Sequence, residues 1–341
     1  GVAGAGEKVE DGIEPLTGAS IYSLYGKNNK PTPRMMKGLD VVLFDMQDIG
    51  VRYYTYISTL ALVMEVVAEI NEAGGQAAAH FGSVSDFEVA KDIVDTAVAK
   101  FGRLDVVVNN AGILRDVIFH KMEESDWDLV INVHLKGSFN VSRAAATVFR
   151  EQKSGCFIHM TSTSGLVGNF GQANYAAAKL GIVGLAKSIA LDMARFNVRS
   201  NCISPFAWTR MIGTIPIQDE AQAARIEKLK QMTPGKIAPM AVYLASDAAA
   251  EVSGQIFAVR NNEIFLMSQS RPLRSVQRSE GWGPETISTH AIPALSAHFF
   301  PLDRSQDVFD WDPVCIQSPP NCSARENARV GYPEALAIAA D

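Results

Sequence analysis

The stretch "LDVVVNN", residues 104–110, decides the fold. It is a short, β-branched, apolar run closed by two asparagines. A strand with apolar residues on both faces has to be covered on both faces, which is the situation of a parallel sheet. The same pattern recurs along the chain. Comparable runs occur at "IYSLYG" (21–26), "DVVLFD" (40–45), "QAAAHF" (76–81), "GCFIHM" (155–160), "VRSNCI" (198–203) and "QIFAVR" (255–260). Helical patterns lie between them at 53–73, 86–101, 123–152, 173–195 and 236–247. Alternation of this kind predicts an α/β fold, a doubly wound parallel sheet with helices on both faces. Such sheets take their ligands beyond the carboxyl ends of the strands.

Composition limits the function classes. With 341 residues, 47 % apolar and 20 % charged, the chain is long enough to bury a sizeable core. A net charge of −6 argues against nucleic acid as the main partner, because a phosphate-binding face needs clustered Lys and Arg. No apolar run reaches the roughly 18–20 residues that span a bilayer, so no membrane segment is expected. The longest candidate, around 57–69, is interrupted by Glu65 and Glu69. No secretory signal pattern opens the chain, and a cytoplasmic location is expected. Cys156 and Cys202 fall in strand-like runs and read as core thiols, while Cys315 and Cys322 lie in a Pro/Ser/Asn stretch without a histidine nearby. No metal site is expected. His80, His134 and His159 stand singly and read as core or surface residues, and "EESDWD" (123–128) reads as an acidic helix start with Ser125 as its cap.

Chemistry enters at "NYAAAKLG" (174–181), which sets Tyr175 and Lys179 one helical turn apart. Such a pair alone says little. It is accompanied by "VVVNNAG" (106–112) at a strand end, by Asn132 in "INVHLKG", and by Ser162 in "HMTSTSG" at the end of another strand. A free tyrosine has a pKa of about 10, and an ammonium one turn away favours the phenolate. Ser162 can hydrogen-bond a substrate oxygen.

In this order and spacing the motifs resemble the short-chain dehydrogenase/reductase family, over roughly Val67 to Pro313. The resemblance implies a Rossmann-like fold, NAD or NADP as cofactor, and a small-molecule carbonyl or alcohol as substrate. It implies Asn132, Ser162, Tyr175 and Lys179 as catalytic residues, Asn132 offering its backbone carbonyl to a water leading from the lysine. Cofactor contacts fall to Asn109, Ala111, Gly112, Tyr175, Lys179, Pro205 and Thr209. The last two lie in "NCISPFAWT" (201–209), where Phe206 replaces the usual glycine. A helix at 219–232 takes the place of the family's substrate lid. Related enzymes pair the helices 123–152 and 173–195 across a two-fold axis, so a homodimer or homotetramer is expected, with Val133, Phe139, Ile182, Leu185 and Ile189 on the shared face.

The first 66 residues break the pattern. The family's T-G-x-x-x-G-x-G loop, which brings backbone amides to the cofactor pyrophosphate, is absent. "GVAGAG" (1–6) follows no strand. "GEKVEDGIEPLTG", "YSLYGKNNKPTPRMMKG" and "DVVLFDMQDIGVRYYTYISTLALVMEV" resemble instead the DUF1343 family, which includes bacterial exo-acting N-acetylmuramidases. The chain reads as a fusion with its seam near Met64–Glu69, an atypical N-terminal β/α segment standing where the glycine loop should be. In that segment Asp45 would fall where an acidic residue often meets the adenosine ribose, and Ser83 stands where an aspartate commonly contacts adenine. The expected organisation is an N-terminal segment 1–66, a family core 67–265, an extension 266–313 and a flexible tail 314–341. The extension resembles the 3-hydroxyacyl-CoA dehydrogenase part of peroxisomal multifunctional enzymes, and Arg271, Arg274 and Arg278 could meet the phosphates of an acyl-CoA. Three functions stay open: an oxidoreductase on alcohols or 3-hydroxyacyl thioesters, a family-like protein impaired by the missing loop, and a muramidase-like fragment.

Overall fold

Residues 12–13, 20–21, 67–68, 70–72, 75–207, 229–311 and 313 are described by the computed structural model. Near the N-terminus β1 (Gly12–Ile13) and β2 (Ser20–Ile21) pair antiparallel. The main sheet has five strands in the order β3 (Val106–Asn109), β4 (Gly155–Met160), β5 (Val198–Phe206), β6 (Ile256–Arg260) and β7 (Glu263–Leu266). The ladders from β3 to β6 are parallel, with Val107 opposite Phe157, Ile158 opposite Asn201, and Ile203 opposite Phe257. The strands expected at 104–110, 155–160, 198–203 and 255–260 are thus present, as Val106–Asn109, Gly155–Met160, Val198–Phe206 and Ile256–Arg260, and all four point their carboxyl ends to one edge.

The helices follow from local chemistry. In α1 (Phe87–Phe101), Asp86 accepts from the amides of Glu88 and Val89, and Gly102 closes the end in the left-handed region at φ 81°. In α2 (Glu124–Ile131) the N-cap position falls to Glu123, two residues before Ser125, and the Glu123 amide donates to the Asp126 carboxylate at 3.3 Å. A π-turn over Asn132–Lys136 joins α2 to α3 (Gly137–Gln152). A short turn α4 (Thr163–Leu166) precedes α5 (Ala173–Met193), and α6 (Ala238–Ala245) lies before β6.

Alternate strand residues feed opposite faces. Val107, Phe157 and Val198 meet Ala145 and Phe149 of α3, with the Phe149 and Phe157 rings 4.8 Å apart. Cys202 and Ile256 meet Ile182, Val183 and Ala186 of α5. Cys156, Ile158, Ile203 and Val259 face the other way, onto Met240 and Leu244 of α6. Both expected core thiols are buried.

Several expectations change. "QAAAHF" forms no strand: among the described residues no neighbour supplies a ladder for it, and His80 turns instead to Asp92 of α1 at 2.8 Å. Strand β7 was not anticipated. It returns antiparallel from β6 through Asn261-Asn262, with Asn261 at φ 56°, a two-residue hairpin suited to asparagine. Val133 and Ile182 are 6 % and 1 % exposed and pack inward, so they cannot form a shared outer face; Phe139 does face out. Most of the expected strand at 21–26, the strand at 40–45, most of the helix at 53–73, Asp45, Thr209, most of the helix at 219–232 and the tail from 314 lie outside the described residues.

Candidate active site

The carboxyl end of β4 and the first turns of α5 build the site. The chain leaves β4 at Met160, passes Thr161 and Ser162, and Ser162 caps α4 by accepting from the Ser164 amide at 3.1 Å. Tyr175 lies in the first turn of α5 and Lys179 one turn on. Two bonds dock that turn to the strand end: Thr161 Oγ1 donates to the Lys179 carbonyl at 2.7 Å, and Lys179 Nζ donates to the Met160 carbonyl at 2.7 Å. The ammonium lies 5.5 Å from the Tyr175 ring centre, and Ser162 lies near enough to the phenol to favour its ionised form. The structure therefore brings Ser162, Tyr175 and Lys179 together.

Electrostatics in this pocket are governed by burial. Lys179, 4 % exposed, has its pKa pushed down to about 8 because the charged form is poorly solvated. Burial raises the Tyr175 phenol above its ordinary value; Ser162 opposes this, and the negative charge of Asp116 adds to it. The lysine ammonium that the sequence sets one turn away is held by the Met160 carbonyl, and burial is the largest influence on the phenol.

Asn132 starts the π-turn, and its carbonyl accepts the Gly137 amide five residues on, out of the ordinary helical ladder. The same turn buries His134, whose ring meets Tyr175 edge-on at 5.2 Å. His134 Nε2 lies 2.7 Å from the Ile113 carbonyl and 3.0 Å from the Ile113 amide nitrogen, while Nδ1 is buried without a partner. Burial first, and the Lys179 charge second, lower its pKa to about 4. Gly112 is required beside it: a Cβ at that position would stand 2.4 Å from His134 Cε1. Asn109 turns into the protein rather than toward a ligand, its amide lying 2.9 Å from Ser142 Oγ and 3.1 Å from His159 Nδ1. Ala111 and Gly112 continue from it along the edge where β3 ends, and Pro205 lies exposed near the end of β5. Ser83 accepts from the Ser85 amide in the turn before α1. Of the three arginines, Arg278 pairs with Glu280 at 3.2 Å and Arg274 meets His298 at 3.0 Å, while Arg271 reaches the carbonyl of Ser270 at 2.9 Å.

Sequence reading missed Asn174. It is fully buried beside Tyr175, donating to the carbonyls of Arg115 and Asp126, each at 3.0 Å, and accepting the Tyr175 amide at 2.7 Å. The available signal was a strongly polar residue opening an otherwise apolar helix. Among the described residues no group of acidic, His and Cys side chains could hold a metal, and no helix is long and apolar enough to cross a membrane.

Comparison with known proteins agrees with this geometry. A family model described as enoyl-(acyl carrier protein) reductase matches residues 47–261. A short-chain type dehydrogenase/reductase of Mycobacterium tuberculosis is 45 % identical over 204 residues, covering 60 % of this chain and 68 % of the relative. The chain belongs to the short-chain dehydrogenase/reductase family. Another family relative, the hydroxyacyl-CoA dehydrogenase ChsB1 of Mycobacterium tuberculosis, is 39 % identical, with 74 % of this chain and 80 % of the relative covered. A solved short chain dehydrogenase from Mycobacterium avium superposes with a TM-score of 0.61 at 36 % identity, covering 70 % of this chain and 80 % of that one. The match to the peroxisomal hydratase-dehydrogenase-epimerase of Saccharomyces cerevisiae is 46 % identical and covers 67 % of this chain but only 24 % of that longer protein. Residues 1–73 match the N-terminal model of the exo-β-N-acetylmuramidase NamZ. The two family models overlap over residues 47–73, a stretch that contains the expected seam at Met64–Glu69.

Proposed function

We propose that the chain is an NAD(P)-dependent oxidoreductase that interconverts a secondary alcohol and a carbonyl, with a 3-hydroxyacyl or 3-oxoacyl thioester as substrate. The observation that carries this reading is the cluster of Ser162, Tyr175 and Lys179 at the carboxyl end of β4. In reduction, Tyr175 gives its phenolic proton to the substrate oxygen while Ser162 donates a hydrogen bond to the same atom. Burial keeps that phenol protonated at neutral pH, which suits a proton donor. Lys179 lies against the ring and steadies the phenolate left behind. A nicotinamide cofactor, when bound, supplies the hydride in reduction and accepts it in oxidation.

The residues fit that cofactor unevenly. Tyr175, Lys179 and Pro205 suit the nicotinamide end, and Ala111 and Gly112 lie where the loop after β3 faces the ligand edge. At the pyrophosphate end the sequence has no glycine loop. The outer edge of β3 is unpaired among the described residues, and Val108 is 47 % exposed. This favours a second reading, a family member whose proton machinery is intact and whose cofactor affinity is poor. The thioester substrate class follows the names of the relatives, which act on hydroxyacyl-CoA. A homodimer or homotetramer is part of the same reading, with exposed Phe139 and Leu180 on the helices expected to pair.

The test follows absorbance of NADH and NADPH with a short 3-oxoacyl-CoA. The unmodified chain should oxidise one of them, and Tyr175→Phe should slow it by about 100-fold or more without altering the fold. Retention of most of the rate in Tyr175→Phe would remove Tyr175 from the mechanism.

A further inference from the structure

The extension after β7 returns to the site. Asp303–Trp311 runs from the loop that carries Ser162 to the strand end that carries Pro205. At its first end Ser305 makes two bonds to that loop. Its amide donates to the Gly168 carbonyl at 2.9 Å, and its hydroxyl donates to Thr163 Oγ1 at 2.5 Å. Thr163 follows Ser162 directly and is itself buried. Thr163 and Gly168 bound α4 on either side, and the Gly168 amide donates to the Thr163 carbonyl, so one residue ties both ends of the turn that Ser162 caps. Gly168 has φ 147°, and a Cβ there would stand 3.3 Å from the Asp303 carbonyl, so the backbone approaches closely. Arg304 covers the Phe170 ring at 5.3 Å and grips Asp307 through two bonds of 2.8 and 2.6 Å. At its other end the segment is anchored by Phe309, 8 % exposed, edge-on to Phe206 at 4.9 Å and to Phe265 at 5.3 Å. Arg260 donates to the Phe309 carbonyl at 3.2 Å, and Trp311 Nε1 donates to Glu263 at 2.7 Å.

We infer that Ser305 is a positioning residue for Ser162, and that residues 303–309 form a strap that fixes where the Ser162 hydroxyl meets the substrate oxygen. The inference rests on the proposed oxidoreductase reading for its catalytic consequence and on geometry alone for the strap. Phe206, where the family usually has glycine, gives Phe309 the ring it needs to hold the strap down. The hydroxyl of Ser305 is the part that a substitution removes cleanly, since the amide bond to Gly168 survives.

Hydrogen exchange of the peptide covering residues 163–171 tests the strap in the protein without substrate. Ser305→Ala should speed exchange there about fivefold to tenfold, the loss of roughly one hydrogen bond, with little change in Tm; Ser305→Thr should restore protection. In turnover, Ser305→Ala should lower kcat by a similar factor and leave KM within about twofold, because the serine is misplaced for the transition state more than for binding. Phe309→Leu, which loosens the other anchor, should speed exchange in the same peptide. Unchanged exchange in Ser305→Ala overturns the strap, and faster exchange with unchanged kcat overturns the positioning role. If the unmodified chain turns over no substrate, the oxidoreductase reading fails and the positioning role with it, while the exchange result still decides the strap.

Discussion

Asn174→Ala is the most informative single change, because it separates the scaffold of the site from its chemistry. The amide is completely buried and makes three hydrogen bonds, to the carbonyls of Arg115 and Asp126 and from the amide of Tyr175. The Tyr175 amide lies in the first turn of α5, where no helical carbonyl is available to it. Truncation therefore strands two carbonyls and one amide in a buried place. At about 1 kcal/mol for each such bond the loss is about 3 kcal/mol, which for a domain of this size is a fall in Tm of about 6–12 °C. Asn174→Asp keeps an acceptor for the Tyr175 amide but turns a carboxylate toward two carbonyl oxygens, so it should be at least as damaging as the alanine. Thermal melts by circular dichroism, with urea unfolding to confirm, give both values. A Tm shift under 2 °C for Asn174→Ala, or an aspartate variant as stable as the unmodified protein, would refute the assignment of these bonds as the support of Tyr175.

Other expectations are as direct. His134 and His159 are buried with pKa values near 4 against 6.5 when free, so the unfolded chain binds more protons in that range; stability is full above pH 6.5 and falls toward pH 4, by roughly 3 kcal/mol for each histidine. A urea midpoint that stays constant between pH 7 and 4.5 would contradict the burial of neutral imidazoles. Because burial raises the Tyr175 phenol, alcohol oxidation, which needs the phenolate, should accelerate with pH above neutrality; a rate that falls from pH 7 to 9 would exclude Tyr175 as the base. Replacing residues 1–66 by a family N-terminus bearing T-G-x-x-x-G-x-G should tighten NADH or NADPH binding by about three orders of magnitude, the worth of two or three charge-assisted hydrogen bonds. Low-micromolar binding by the unmodified chain, followed by nicotinamide fluorescence, would show that the loop is not missed. Light scattering at tens of micromolar should give a dimer or tetramer mass, and a monomer would remove the proposed helix pairing.

What could be read from the sequence was what local chemistry specifies. β3 to β6 announce themselves as β-branched runs, and the residues proposed to move the proton through motifs whose order is as informative as their content. What could not be read depends on partners distant in the chain. Nothing local says that "QAAAHF" lacks a neighbouring strand, whereas "NNEIFL" had a hairpin signal in its two asparagines that was passed over. Nothing local says that Ile182 faces Cys202 rather than solvent, since α5 is apolar nearly all round. His134 looked like an isolated histidine; only the π-turn brings it against Tyr175, and only the tertiary fold buries both rings. Asn174 carries no motif, and its role exists because the loop before α2 and the end of α2's first turn present carbonyls to it.

The clusters that bury the core bear on how a fused chain can keep this site. Their members all lie between Val94 and Met267. Among the described residues α3 and α5 close one face of β3–β6 and α6 contributes to the other, so the described packing around Met160, Ser162, Tyr175 and Lys179 comes from residues 94–267. What is missing lies elsewhere: the outer edge of β3 is unpaired among the described residues, and the sequence has no glycine loop for a pyrophosphate. Asn109 illustrates the division: its amide spans from β3 to Ser142 of α3 and His159 of β4, holding the last strand of the described sheet from within. An edge strand tied down in this way can stay in register with half of its hydrogen-bonding groups unpaired within the described sheet. On the proposed reading, proton transfer and cofactor retention are separable, and the upstream substitution would weaken the second while leaving the geometry of the first in place.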